Sequence, residues 1–160
     1  MVRWSDGLFG GLLAGTTSAL FYALVAVVLK EYTIPAFFAQ IAQALPPFHA
    51  APAAGPIVAL GVVLHFAVAA GFGIAYAMLA RRFPSMWHAP TSVMWGCSYG
   101  LLVWWCINDV VVPISGAVDV QPLWEGLVGT VLFYGVVLSE YTTVAHRGKA
   151  AAAAAETVAP

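Results

Sequence analysis

Apolar residues in this chain gather into four long runs with few charges inside them, at 7–29, 56–80, 91–112 and 122–141. Each is long enough to cross a hydrocarbon core of about 30 Å, which takes about 20 helical residues at about 1.5 Å rise. Within the runs the small residues recur at helical spacing. Gly7, Gly11 and Gly15 line one face of the first, and Gly96 and Gly100 begin a row in the third that continues through Trp104 to Asn108. Gly126 and Gly129 open the fourth. Rows of this kind let a neighbouring helix approach closely and gain van der Waals contact, and a seam within the chain is the simpler use of them than a dimer interface. In the second run Gly61, His65, Ala69, Phe72 and Tyr76 share one face, which is expected to turn inward. The pattern predicts an all-α membrane protein, a bundle of four transmembrane helices forming a single domain over 1–149.

The connections are uneven. Lys30 to Gly55 is long, and Pro35 is placed to start a short helix through Leu45, with Phe37, Phe38, Ile41 and Leu45 on one side and Gln40 and Gln43 on the other. Such a helix is expected to lie in the membrane interface or tuck back against the bundle. The second run ends in Arg81-Arg82 and is broken by Phe83-Pro84; the Pro113 to Pro122 stretch is an acidic turn region. Residues 150–160, rich in alanine, are expected to form a disordered tail, with the alanines able to add a few turns to the last helix. A shift that lays Gly61 on Gly126 and Tyr76 on Tyr141 also sets His65 opposite Thr130, which suggests a repeat of two hairpins.

Composition narrows the picture. Hydrophobic residues are 62% and charged residues 8% of the chain, and the mean hydropathy is +0.89, values that belong to a polytopic membrane protein. Six basic residues against seven acidic ones leave no basic surface for nucleic acid. Four spans put Arg3, Arg81, Arg82, Arg147 and Lys149 on one side and only Lys30 on the other, so both termini are expected in the cytoplasm. No cleavable signal is visible after Met1 to Asp6, so the first helix is expected to stay in the product. Cys97 and Cys106 fall on opposite faces of one helix and read as small buried apolar residues.

Chemistry centres on His65, set roughly 13 Å into the second span, because an ionisable group at that depth is rare and costly. Asn108, Asp109 and Glu125 approach from the same side of the membrane, and the four define a candidate polar cluster. Three uses are open: His65 bonds a hydroxyl or carbonyl and locks packing; it handles protons beside Asp109 or Glu125; or the cluster holds a ligand or lipid headgroup. Haem between two transmembrane histidines needs a second ligand at like depth. His49, His88 and His146 lie outside the spans, so no cofactor is expected unless another chain supplies a ligand. No HExxH, P-loop, GxGxxG or nucleophile–base motif is present, and no metal site is expected.

The run from His65 to Gly116 resembles the YagU-type family of uncharacterised bacterial inner-membrane proteins. The matching residues are His65 followed by Tyr76, then Phe83-Pro84, Trp95-Gly96 with Gly100, and Pro113 with Gly116; the opening GLLAGTTSAL is similar to that family's first helix. The chain departs from the pattern at Asn108, where the family has a histidine, and at Thr130, where the histidine of a glycine–histidine pair stands. The resemblance implies multi-pass placement in a bacterial inner membrane. Together with the glycine rows it leads to the expectation of a non-catalytic protein, in contact with membrane lipids and other membrane subunits, acting as an accessory subunit of a larger respiratory-type complex. A small transporter or proton-responsive protein using His65 is the alternative, and a haem-bearing electron-transfer subunit a third.

Overall fold

The computed structural model describes residues 2–29, 32–88, 91–115 and 123–158. Lys30, Gly116 and the rest of the acidic turn through Pro122 lie outside the described residues. Among the described residues four helices are long and apolar enough to cross a membrane: α1 (Trp4–Leu29), α3 (Gly55–Arg82), α4 (Thr91–Ile114) and α5 (Leu123–Glu156). A short helix, α2 (Ile34–Gln43), lies between the first two, and no strand is present among the described residues.

Local chemistry sets the helix ends. At the start of α1 the Arg3 backbone N–H donates to Asp6 Oδ2 at 2.7 Å, so an acidic side chain satisfies a first-turn donor. Thr33 caps α2, its Oγ1 accepting from Ala36 N–H, with Pro35 in the first turn. Phe83 and Pro84 stop α3, since proline supplies no N–H and its ring opposes the preceding turn. The alanine-rich stretch expected as a disordered tail instead continues the last helix through Val158. Alanine has the highest intrinsic helix propensity, and the run 150–155 starts from a helix already nucleated.

Two hairpins organise the bundle, α1 with α3 and α4 with α5, joined by packing of α1 on α5. Both close through glycine. A Cβ placed on Gly73 would overlap the Gly7 carbonyl and come 2.6 Å from Gly11 Cα; one placed on Gly135 would overlap the Gly96 carbonyl and come 2.9 Å from Gly100 Cα. The same correspondence carries Ala77, against Gly7, to Ser139, against Gly96. The hairpins are thus repeats of one packing solution, in the register that pairs Gly73 with Gly135. The sequence shift pairing Gly61 with Gly126 aligned different turns: Gly61 faces the Phe38 backbone of α2, and Gly126 faces the Trp104 ring. Gly15 packs on Ala69, and Gly129 on the Tyr22 ring. Every glycine of the expected seams is therefore covered from within the chain.

Tyrosines, by contrast, set the distance between hairpins. Tyr134 of α5 and Tyr99 of α4 each donate a hydroxyl to a carbonyl of α3, Ala69 and Phe72 respectively, both at 2.6 Å. Tyr99 also meets Tyr76 edge to face, with ring centroids 5.0 Å apart. Toward the end that carries the chain termini, Lys149 Nζ donates to Asp6 Oδ2 at 2.6 Å and Ser92 Oγ to Glu140 Oε1 at 2.7 Å, tying α5 to α1 and to α4 at that end. His146 stacks on Trp87 beside them.

Backbone contact makes the seam intolerant of any side chain. Gly73→Leu is expected to destabilise the protein by about 3 kcal/mol or more, the upper end for overpacking, and to lower its melting temperature in detergent. Gly71→Leu, on the open side of the same helix with no atom near its Cβ position, leaves the melt unchanged.

Candidate functional site: a cavity between the hairpins

The hairpins do not meet along their whole length. Beyond the Tyr134–Ala69 bridge a half-open cavity of about 430 Å³ lies between them, bordered by all five helices. α1 supplies Ser18 and Tyr22, α3 supplies His65 and Phe72, α4 supplies Trp104 and Asn108, and α5 supplies Gly126, Thr130 and Tyr134. Phe37, Gln40 and Ile41 of α2 form one wall. The expectation for α2 placed Gln40 and Ile41 on opposite sides; both border the cavity, and the helix packs along α3 with Ala39 and Ala42 buried. Gln43 instead reaches the connection after α2, donating to the Ala51 carbonyl at 2.7 Å.

Both helices of the second hairpin widen where they border this space. Cys106–Val111 in α4 and Gly129–Val136 in α5 are π-helical, whereas α1 and α3 are regular α throughout. In α4 the cause is Pro113. Its ring opposes the carbonyl of the preceding turn and it has no N–H to give, and a wide turn relieves both problems. In α5 glycines at 129 and 135 bracket the segment and soften it. A change from four- to five-residue bonding leaves carbonyls short of a donor, and side chains supply them. Asn108 Nδ2 donates to the Trp104 carbonyl at 2.8 Å, and Thr17 Oγ1 reaches across from α1 to the Phe133 carbonyl at 2.5 Å.

His65 is held just as definitely. Its Nε2 lies 2.9 Å from the Gly15 carbonyl oxygen, an acceptor only, so Nε2 carries the proton and Nδ1 is the acceptor of the neutral ring. Phe37, Phe38 and Phe66 surround the imidazole edge to face. Of the four expected cluster members, His65 and Asn108 border the cavity together. Asp109 is exposed on the far side of its helix. Glu125 is fully buried away from the cavity and accepts from the Tyr32 hydroxyl at 3.1 Å. Among the described residues no three His, Cys, Asp or Glu side chains are arranged to hold a metal ion.

Thr130 and Trp104, outside the expected polar cluster, also border the cavity, as does Gln40 of α2. Pro113 is the signal that marks this part of α4, since an intrahelical proline in an apolar span points to a locally altered backbone. No protein-family model, curated protein or solved structure matches the chain.

The wide turn in α4 depends on Asn108. Asn108→Leu is expected to cost about 1–2 kcal/mol, the price of a buried carbonyl losing its donor, and to lower the melting temperature. Tyr134→Phe removes a bond to a carbonyl that already sits within a regular helix and costs about 0.6 kcal/mol, the average for such bonds inside membranes.

Proposed function

We propose that this chain is a non-catalytic, multi-pass protein of a bacterial inner membrane that holds an amphipathic small molecule in the cavity between its two hairpins. The observation that carries the reading is the cavity itself. It lies at the interface of two structural repeats, a recurrent place for sites in membrane bundles. Its wall is mostly apolar with a few convergent polar groups, the usual make-up of a small-molecule pocket. In the described spans the backbone leaves the α form in two segments that run along this space, where irregular backbone is tolerated at membrane depth.

In this reading the end bearing Arg3, Arg81, Arg82, Arg147 and Lys149 faces the cytoplasm, and the molecule enters from the α2 side. His65 serves as a fixed polar wall, its Nε2 proton committed to Gly15. A role as an accessory subunit of a larger respiratory-type assembly fits the same membrane setting. A partner would then meet the outward apolar side chains, such as Trp4, Phe9, Met94 and Trp105, because the glycine seams are filled.

Native mass spectrometry of the protein released from mild detergent is expected to retain a small-molecule adduct. Ala44→Phe, which adds a ring at the α2 wall, is expected to lose it while melting normally. An adduct-free wild type, or one carried equally by the filled variant, would count against the proposal. A reporter fused after residue 158 is expected to respond as cytoplasmic; a periplasmic response reverses the orientation.

A further inference from the structure

Resting on the cavity reading above, we infer that the occupant is an acyl chain of a bilayer lipid, which enters sideways through a window between α3 and α4. The packing order opens that side. α3 packs on α1, α1 on α5 and α5 on α4, so α3 and α4 end the row. Tyr99 draws them together at the level of Phe72, its hydroxyl on the Phe72 carbonyl and its ring against Tyr76. From there toward α2 the two helices flank the cavity, with Leu64 and Val68 on one side and Ile107 and Val111 on the other. Four of the described lining residues are also exposed, and they mark the rim: Leu45 at 38%, Val68 at 45%, Val111 at 45% and Leu123 at 69%. All four are apolar. Val68 stands at the middle of the 28-residue α3, whereas Leu45 follows α2 and Leu123 opens α5 at the end away from the chain termini. The rim therefore runs from mid-depth to one face of the membrane, about 15 Å, half of a hydrocarbon core of about 30 Å. Lipid chains of that leaflet fill the same depth, alongside this rim.

The interior suits hydrocarbon as well. Ser18, His65, Asn108 and Tyr134 border it, yet each directs a donor to a backbone carbonyl: Gly15 for the first two, Trp104 for Asn108 and Ala69 for Tyr134. Donors committed in this way need no acceptor from an occupant. Beside them the space is walled by the apolar surfaces of Phe72, Val103 and Ile107. A chain that moves in from the bilayer exchanges lipid neighbours for protein ones, gaining close contact with no polar group to dehydrate. Its headgroup stays at the membrane face, beside Leu45 and Leu123.

The test places the full chain in nanodiscs containing a phosphatidylcholine with a diazirine near the middle of one acyl chain, and maps the labelled residues after illumination. Val103 and Tyr134 border the cavity and are 3% and 4% exposed, so label on them reports a chain inside. Phe9, 58% exposed on α1, reports chains outside. Both kinds of label are expected in the wild type. Val68→Trp and Val111→Trp, which set a ring in the window from either side, are each expected to cut the inside label by about ten-fold, a misfit of about 1.4 kcal/mol, and to leave Phe9 unchanged. Val63→Trp, exposed on α3 away from the cavity, changes neither signal. Inside label that survives both window variants overturns the route. Absence of inside label in the wild type, with an adduct other than a phospholipid retained in native mass spectrometry, overturns the acyl chain and leaves the cavity reading standing; absence of any adduct as well removes both. A benzophenone side chain introduced at position 68, which needs neither window variant to fold, is expected to capture phospholipid. Capture of a second copy or of another protein there names a helix as the occupant and overturns the inference.

Discussion

Backbone-to-backbone contact through glycine is the constraint from which the rest of this bundle follows. In a bilayer, lipid tails solvate apolar side chains as well as another helix does, so helices associate through close van der Waals contact and the few hydrogen bonds that close approach permits. Gly7 and Gly11 against Gly73, and Gly96 and Gly100 against Gly135, achieve that contact twice with one geometry. Each hairpin is drawn tight. The space between hairpins is then set by longer groups, the tyrosines that bridge to α3, and a pair of narrow objects held apart by spacers leaves a gap.

The two repeats have diverged in what they do with the shared plan. The first keeps regular helices and offers carbonyls: Gly15 receives His65, while Ala69 and Phe72 receive tyrosine hydroxyls from the other hairpin. The second has given up regular bonding in both of its helices along the cavity and presents Trp104, Asn108 and Thr130 there. One half behaves as the frame and the other as the fitted wall.

Much of the architecture could be read from the chain, because membrane spans announce themselves through length and hydropathy, and because a glycine repeated at helical spacing has few uses. The four spans, the break at Phe83-Pro84, a helix beginning near Pro35 and the inward face through His65 and Tyr76 all follow from such local rules. The site was less legible. His65 and Asn108 both border the cavity, whereas Asp109 and Glu125 were drawn in by depth alone. Depth along a helix says nothing about azimuth once a wide turn intervenes, and the extra residue of a π turn rotates whatever follows it. That rotation separates Asn108 from its sequence neighbour Asp109 less than the helix itself does, since adjacent residues already point about 100° apart. Gln40 and Ile41, placed on opposite sides of α2 from the sequence, both border the cavity, since adjacent helical residues stand only about 100° apart.

The length of α5 has a mechanical corollary. Its 34 residues run roughly 50 Å along the axis, against about 30 Å of hydrocarbon. Roughly 20 Å of helix therefore stands clear of the lipid as a rod, braced at its foot where Lys149 meets Asp6. Whatever attaches near residue 158 rides at a fixed standoff and heading from the bilayer, like a flag on a pole and not a kite on a string.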